Sequence, residues 1–78
     1  MKELLEYIVK SLVTKKDEVQ VSEAQENNDI YLLVKVADED YGKVIGRNGK
    51  VAQSLRSIIR SANTNKELRY FIKIGEKE

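Results

Sequence analysis

The sequence predicts an α+β domain in which three helices cover one face of a three-stranded sheet, in the order α-β-β-α-α-β. Three observations carry this. Apolar residues recur at helical spacing near the N-terminus and again over 50–62. They alternate at period two over 30–36 and 68–74. The chain has only 78 residues, so its amphipathic stripes must all share one core, and such a chain buries about 60% of its unfolded surface.

The first helix is read over 3–14, where Leu5, Ile8, Val9 and Leu12 share one face and Leu4 and Val13 widen it. Lys15-Lys16-Asp17 ends it and turns the chain. Over 18–25, Val19 and Val21 alternate with Gln20 and Ser22, which suggests a short, partly exposed strand. Glu26-Asn27-Asn28-Asp29 reads as a turn, because Asn and Asp tolerate left-handed backbone and cap their own turns. Ile30–Val36 is the clearest strand, with Ile30, Leu32, Val34 and Val36 on one face and Tyr31, Leu33 and Lys35 on the other.

Asp38-Glu39-Asp40 reads as a helix start, since carboxylates cap free N–H groups and suit the positive end of the dipole. A short helix runs from there to Ile45, and Gly46–Gly49 breaks it. Lys50–Ala62 forms the third helix, with Val51, Leu55, Ile58, Ile59 and Ala62 apolar, and Asn63-Thr64-Asn65 ends it. Leu68–Ile74 closes the chain as a strand. The aromatics Tyr31, Tyr70 and Phe71 are assigned to the sheet and core. There are no repeats and no linker, so 1–78 is read as a single domain.

Composition removes several classes of function. There is no histidine and no cysteine, so the commonest general base, the thiol nucleophile and the commonest metal ligands are missing. No enzyme activity, cofactor or metal is expected. The absence of cysteine suits a reducing compartment. No apolar run is long enough to span a bilayer and no signal-peptide pattern opens the chain, so no membrane contact and a cytoplasmic location are expected.

The formal net charge is only +1, but it is unevenly spread. Residues 41–62 hold Lys43, Arg47, Lys50, Arg56 and Arg60 and no acid, whereas the remainder holds nine Lys/Arg against thirteen Asp/Glu. A nucleic-acid partner responds to such a local field rather than to the overall balance.

Within that segment lies Gly46-Arg47-Asn48-Gly49. Two glycines three apart at a helix start allow close backbone approach and positive φ. The first N–H groups of the following helix lack intrahelical partners, and its dipole adds about half a positive charge. Arg47 adds a planar fork for phosphate oxygens, flanked by Lys43 and Lys50. The plainer alternative is a tight helix-helix turn, for which Gly after a helix and Asn-Gly are both common. A P-loop fits badly, because Val51 follows Gly49-Lys50 where Ser or Thr is needed. A dinucleotide fingerprint also fails, with Val44 where a glycine is required and no room for a parallel βαβ unit.

The motif Val44-Ile45-Gly46-Arg47-Asn48-Gly49 resembles the V-I-G-x-x-G signature of KH domains. The element order resembles the type II, prokaryotic form, whose sheet is mixed, and the resemblance covers essentially all 78 residues. The opening Met1–Val13 is similar to the start of the small stand-alone bacterial KhpA proteins, a family of cytoplasmic RNA-binding proteins and RNA chaperones. The resemblance implies that Gly46, Arg47, Asn48 and Gly49 clamp the backbone of about four single-stranded nucleotides whose bases lie in an apolar groove. Val44 and Ile45 are then groove or support residues, with burial in the core as the equal alternative. Lys43, Lys50 and Arg56 are candidate phosphate contacts, with an ordinary solvated charge as the alternative.

The resemblance also implies a homodimer, or a heterodimer with a KhpB (Jag)-like KH protein. Ile58 and Ile59 are adjacent and cannot both face the core, so one of them, with Leu55, is a candidate dimer contact. No aromatic lies beyond Tyr41 in the basic segment, so base stacking is not expected there. The competing reading is a protein-interaction module whose third helix docks a partner while the glycine turn is merely structural.

Overall fold

The computed structural model describes residues 1–76. Helix α1, Lys2–Leu12, turns Leu5 and Val9 into the core. A single 3₁₀ turn at Lys16–Glu18 leads into β1, Gln20–Glu26. The turn to β2, Asp29–Val36, is made with Asn27 in left-handed conformation at φ 56°. The strand's alternation is realised, with Ile30, Leu32, Val34 and Val36 buried against the helices and Tyr31 and Lys35 exposed on the opposite side. Helix α2, Asp38–Ile45, and helix α3, Lys50–Ala62, follow. Strand β3, Arg69–Glu76, ends the described chain.

The strands lie in the order β1-β2-β3. β1 and β2 are antiparallel, as a two-residue turn allows. β2 and β3 are parallel, because the α2–α3 crossover returns the chain to the same end of the sheet. The sheet is therefore mixed. All three helices pack on one of its faces, α1 over β1 and α2 and α3 over β3. The core between the layers centres on the fully buried Leu5, Leu32, Leu55, Ile59 and Val44. Each such side chain contributes about 1.5–3 kcal/mol by leaving water.

Three expectations are corrected. The carboxylates of 38–40 do not cap α2, whose N-cap is Ala37 with no side-chain bond. Asp40 instead turns inward, buried completely, and accepts hydrogen bonds from a loop more than twenty residues upstream. The Thr14 N–H and hydroxyl donate to its Oδ1 at 3.1 and 2.8 Å, and the Lys15 N–H donates to its Oδ2 at 2.9 Å. Tyr31 and Phe71 are not core residues. They stand on the helix-free face of the sheet, 45% and 44% exposed, because their parity in β2 and β3 is opposite to that of the buried Leu32 and Ile72. Tyr70 alone of the three packs against the core, partly buried. Leu55 and Ile59 are buried inside this chain, so neither is free to form a contact with another molecule. Ile58, 42% exposed, is the outward member of the pair.

Candidate nucleic-acid interface

The junction of α2 and α3 is built from backbone that only certain residues adopt easily. Helix α2 closes with the Gly46 N–H donating to the Gly42 carbonyl at 2.8 Å. Gly46 then takes φ 78°, Asn48 φ 57° and Gly49 φ 75°. The Gly49 N–H donates to the Gly46 carbonyl at 3.2 Å, and the Lys50 N–H donates to the Arg47 carbonyl. This makes one tight 3₁₀ turn that launches α3.

The two glycines are needed for different reasons. A Cβ on Gly46 would lie 2.4 Å from Cγ2 of Val51, so the first turn of α3 packs directly on this backbone. A Cβ on Gly49 would meet nothing within 4 Å, and its requirement is conformational alone.

Arg47 and Asn48 project from the tip of the turn, exposed and without a side-chain hydrogen bond among the described residues. Lys43 and Lys50 stand exposed on either side of it. Helix α3 has no acid in its first turn, so its N-terminus adds positive potential to the same spot. The structure thus brings Lys43 and residues 46–50 together. Lys43 is also held to the fold, its Nζ 3.7 Å from Oδ1 of Asp40.

Val44 is fully buried and Ile45 half-buried beside the turn. Val44 therefore supports the turn from beneath, and Ile45 keeps a surface that faces outward.

Arg56 is set apart from this cluster. It lies six residues along α3 from Lys50, about 9 Å by helical rise, and its Nη2 donates to the Ile72 carbonyl of β3 at 3.4 Å. There it lines a groove of about 570 Å³ between α3 and β3, together with Arg60, Lys66 and Arg69 and with no acid among the lining residues. Lys66 and Arg69 were not among the sequence candidates because they lie beyond residues 41–62 and reach the groove only as the chain turns back into β3. Arg60 was counted in that stretch but not singled out, although its i+4 spacing from Arg56 places both on one side of a helix.

The strongly perturbed carboxylate is Asp40, in the first turn of α2. The Lys15 N–H bond, reinforced by Thr14 and by Lys43 and only partly opposed by burial, lowers the Asp40 pKa to about 2. At the same end of α2, the Glu39 carboxylate lies 2.9 Å from Lys15 Nζ and raises the Lys15 pKa. Among the described residues there is no cluster of Asp or Glu arranged to hold a metal ion. No helix among them is long and apolar enough to cross a membrane.

A mixed three-stranded sheet, three helices on one face and a Gly-x-x-Gly turn joining the last two define a KH domain of the type II form. Comparison with known proteins agrees and goes further. The profile described as "KhpA/KhpB, KH domain" matches residues 2–74. The chain is 49% identical over 74 residues to the RNA-binding protein KhpA of Clostridium acetobutylicum, covering 95% of this chain and 99% of that one. It is 40% identical over 74 residues to the RNA-binding protein KhpA of Clostridium perfringens, with the same coverage. It is 35% identical over 78 residues to that of Chlamydia pneumoniae, covering both chains in full. No solved structure gives a significant match. The chain belongs to the KhpA/KhpB family of KH-domain proteins.

Proposed function

We propose that this protein binds single-stranded RNA without chemical turnover, through the Gly46–Gly49 turn, and acts as a cytoplasmic RNA chaperone or post-transcriptional regulator. The observation that carries the reading is the turn itself. Two exposed polar side chains with no partner among the described residues stand on a positive-φ backbone at the start of an acid-free helix. In a family whose relatives are named RNA-binding proteins, that turn is a backbone clamp for about four nucleotides.

The roles divide by position. Gly46 and Gly49 let the phosphate chain approach. Arg47 and Asn48 bond its oxygens, and Lys43 and Lys50 add charge. Ile45 offers apolar surface to the first bases, and Val44 holds the turn in place from the core. Arg56, with Arg60, carries the strand onward along the α3–β3 groove. Affinity from one such domain is modest and its sequence selectivity low. A second copy would raise the effective concentration. The exposed Ile58 on α3 is the contact we assign to that pairing, with itself or with a KhpB (Jag)-like KH protein.

The test is fluorescence anisotropy of labelled single-stranded RNA across a salt series, for the native protein and for Arg47→Asp/Asn48→Asp. Native binding should fall steeply with salt. The double variant should remain folded, within about 0.5 kcal/mol of native stability because both side chains are free at the surface, and should lose binding by roughly tenfold or more at low salt. Equal binding by the two proteins would assign the turn a purely structural role and favour a protein-interaction module acting through α3.

A further inference from the structure

The face of the sheet that the helices leave uncovered carries an aromatic pair that the loop mechanism does not use. Register sets Ala24 of β1, Tyr31 of β2 and Phe71 of β3 in one row. The Tyr31 and Phe71 rings stack with centroids 5.4 Å apart and planes 20° from parallel. Ala24 beside Tyr31 brings no ring of its own, so that flank of the pair is open. On the other side, the Arg69 guanidinium lies 5.9 Å from the Phe71 ring centroid.

Charge on this face is one-sided beyond the rings. The next rows are Ser22, Leu33 and Lys73, then Gln20, Lys35 and Gly75, with two exposed lysines and no carboxylate. The row before the rings is Glu26, Asp29 and Arg69; Asp29 is engaged by Arg69 at 2.9 and 3.3 Å, whereas Glu26 is exposed and Glu23 lines the β1 side of the hollow. Phe71 and Ile72 line both the hollow on this face, about 550 Å³, and the cationic α3–β3 groove. The two surfaces are therefore continuous around the edge strand β3.

We infer that the open sheet face is a second contact for the same single-stranded RNA, with a base stacked on the Tyr31–Phe71 pair and the backbone carried over Lys73 and Lys35. The inference rests on the reading of the turn as an RNA clamp and extends its path around β3. Exposed aromatics flanked by cations are the chemistry of single-strand platforms. The bound length then exceeds the four or so nucleotides a KH turn holds.

Binding of uridine tetranucleotide and dodecanucleotide separates the two sites. Tyr31→Thr/Phe71→Thr keeps β-favouring residues in both strands. It should weaken the dodecanucleotide at least about fivefold and leave the tetranucleotide unchanged. Tyr31→Phe/Phe71→Tyr should bind both like the native protein. On the native protein, ring NMR signals of Tyr31 and Phe71 should move with the dodecanucleotide and not with the tetranucleotide, a readout that needs no variant. Silent rings, no loss with either length, or equal loss with both would overturn the second contact while leaving the turn intact. Conversion of a native dimer to a monomer by the threonine pair would give this face to protein instead. If Arg47→Asp/Asn48→Asp keeps both affinities, the clamp reading fails on its own account.

Discussion

The two ends of α2 carry charge of opposite sign, acidic at the first and basic at the second, and put it to different uses. At its N-terminus, Asp40 is buried and bonded to Thr14 and Lys15. Past its C-terminus, the Arg47 and Asn48 side chains reach into solvent with no side-chain hydrogen bond among the described residues. One charged end is spent on holding the chain together and the other is left free to meet a ligand. The difference follows from what surrounds each end. Backbone N–H groups from the link after α1 converge on the first end, whereas positive-φ backbone lifts the second away from the core. A charged cluster therefore signals function only where the fold leaves its bonding capacity unused.

The largest effect that separates the ends should come from Asp40→Asn. The amide keeps the shape but puts a donor where three donors point inward, so melting temperature should fall clearly while RNA affinity of the folded fraction stays unchanged. The pH dependence has a definite sign. Hydrogen bonds from Lys15 and Thr14 hold the folded Asp40 carboxyl down at about 2, below its ordinary value of 3.8. Its contribution is therefore complete above 3.8 and is lost as the pH falls through about 2. Acid titration followed by circular dichroism should show native stability dropping across that window and a shallower drop for Asp40→Asn. Loss of RNA binding by folded Asp40→Asn would break the separation.

Smaller effects should divide the two glycines. Gly46→Ala forces a Cβ onto Val51 at an unfavourable φ and should cost well over about 1 kcal/mol in chemical denaturation. Gly49→Ala meets open space and should cost about 1 kcal/mol, the conformational share alone. Equal losses would mean that the contact with Val51 relaxes freely.

The smallest change is at Lys43, which lies between the two ends. Lys43→Gln should leave stability within about 0.5 kcal/mol, because its pairing with Asp40 at 3.7 Å is half-exposed on the lysine side. It should also lower the salt slope of RNA binding by about one if Lys43 touches a phosphate. An unchanged slope would confine Lys43 to the ion pair.

Local features were the legible ones. The span of α3 was readable to its ends because Lys50–Ala62 is bounded by Gly49 and Asn63, and β2 to within one residue, Asp29, because its alternation is regular. The Gly-x-x-Gly turn was readable because glycine spacing is a property of neighbouring residues. What could not be read depends on partners far along the chain. Asp40 looked like a cap because its donors lie twenty-five or more residues upstream. Tyr31 and Phe71 looked like core although alternation sets Tyr31 opposite Leu32, because alternation does not say that the helices cover only one face of the sheet; that, and the pairing of the two rings across forty residues, is decided by the tertiary packing. Of Ile58 and Ile59, the spacing showed that one must face outward, and only the packing of α3 decides which.

The fastening at Asp40 also bears on how the molecule opens. The stretch between α1 and β1 is the kind of surface segment that ordinarily frays first. Here its amides at Thr14 and Lys15 are donors to a charge with no exposure to water. Releasing that stretch would leave an ionised carboxylate in the interior without its partners, a costly intermediate. The N-terminal helix and the first turn of α2 are therefore coupled into one opening unit. Breathing motions that reach the Gly46–Gly49 turn need not pass through it.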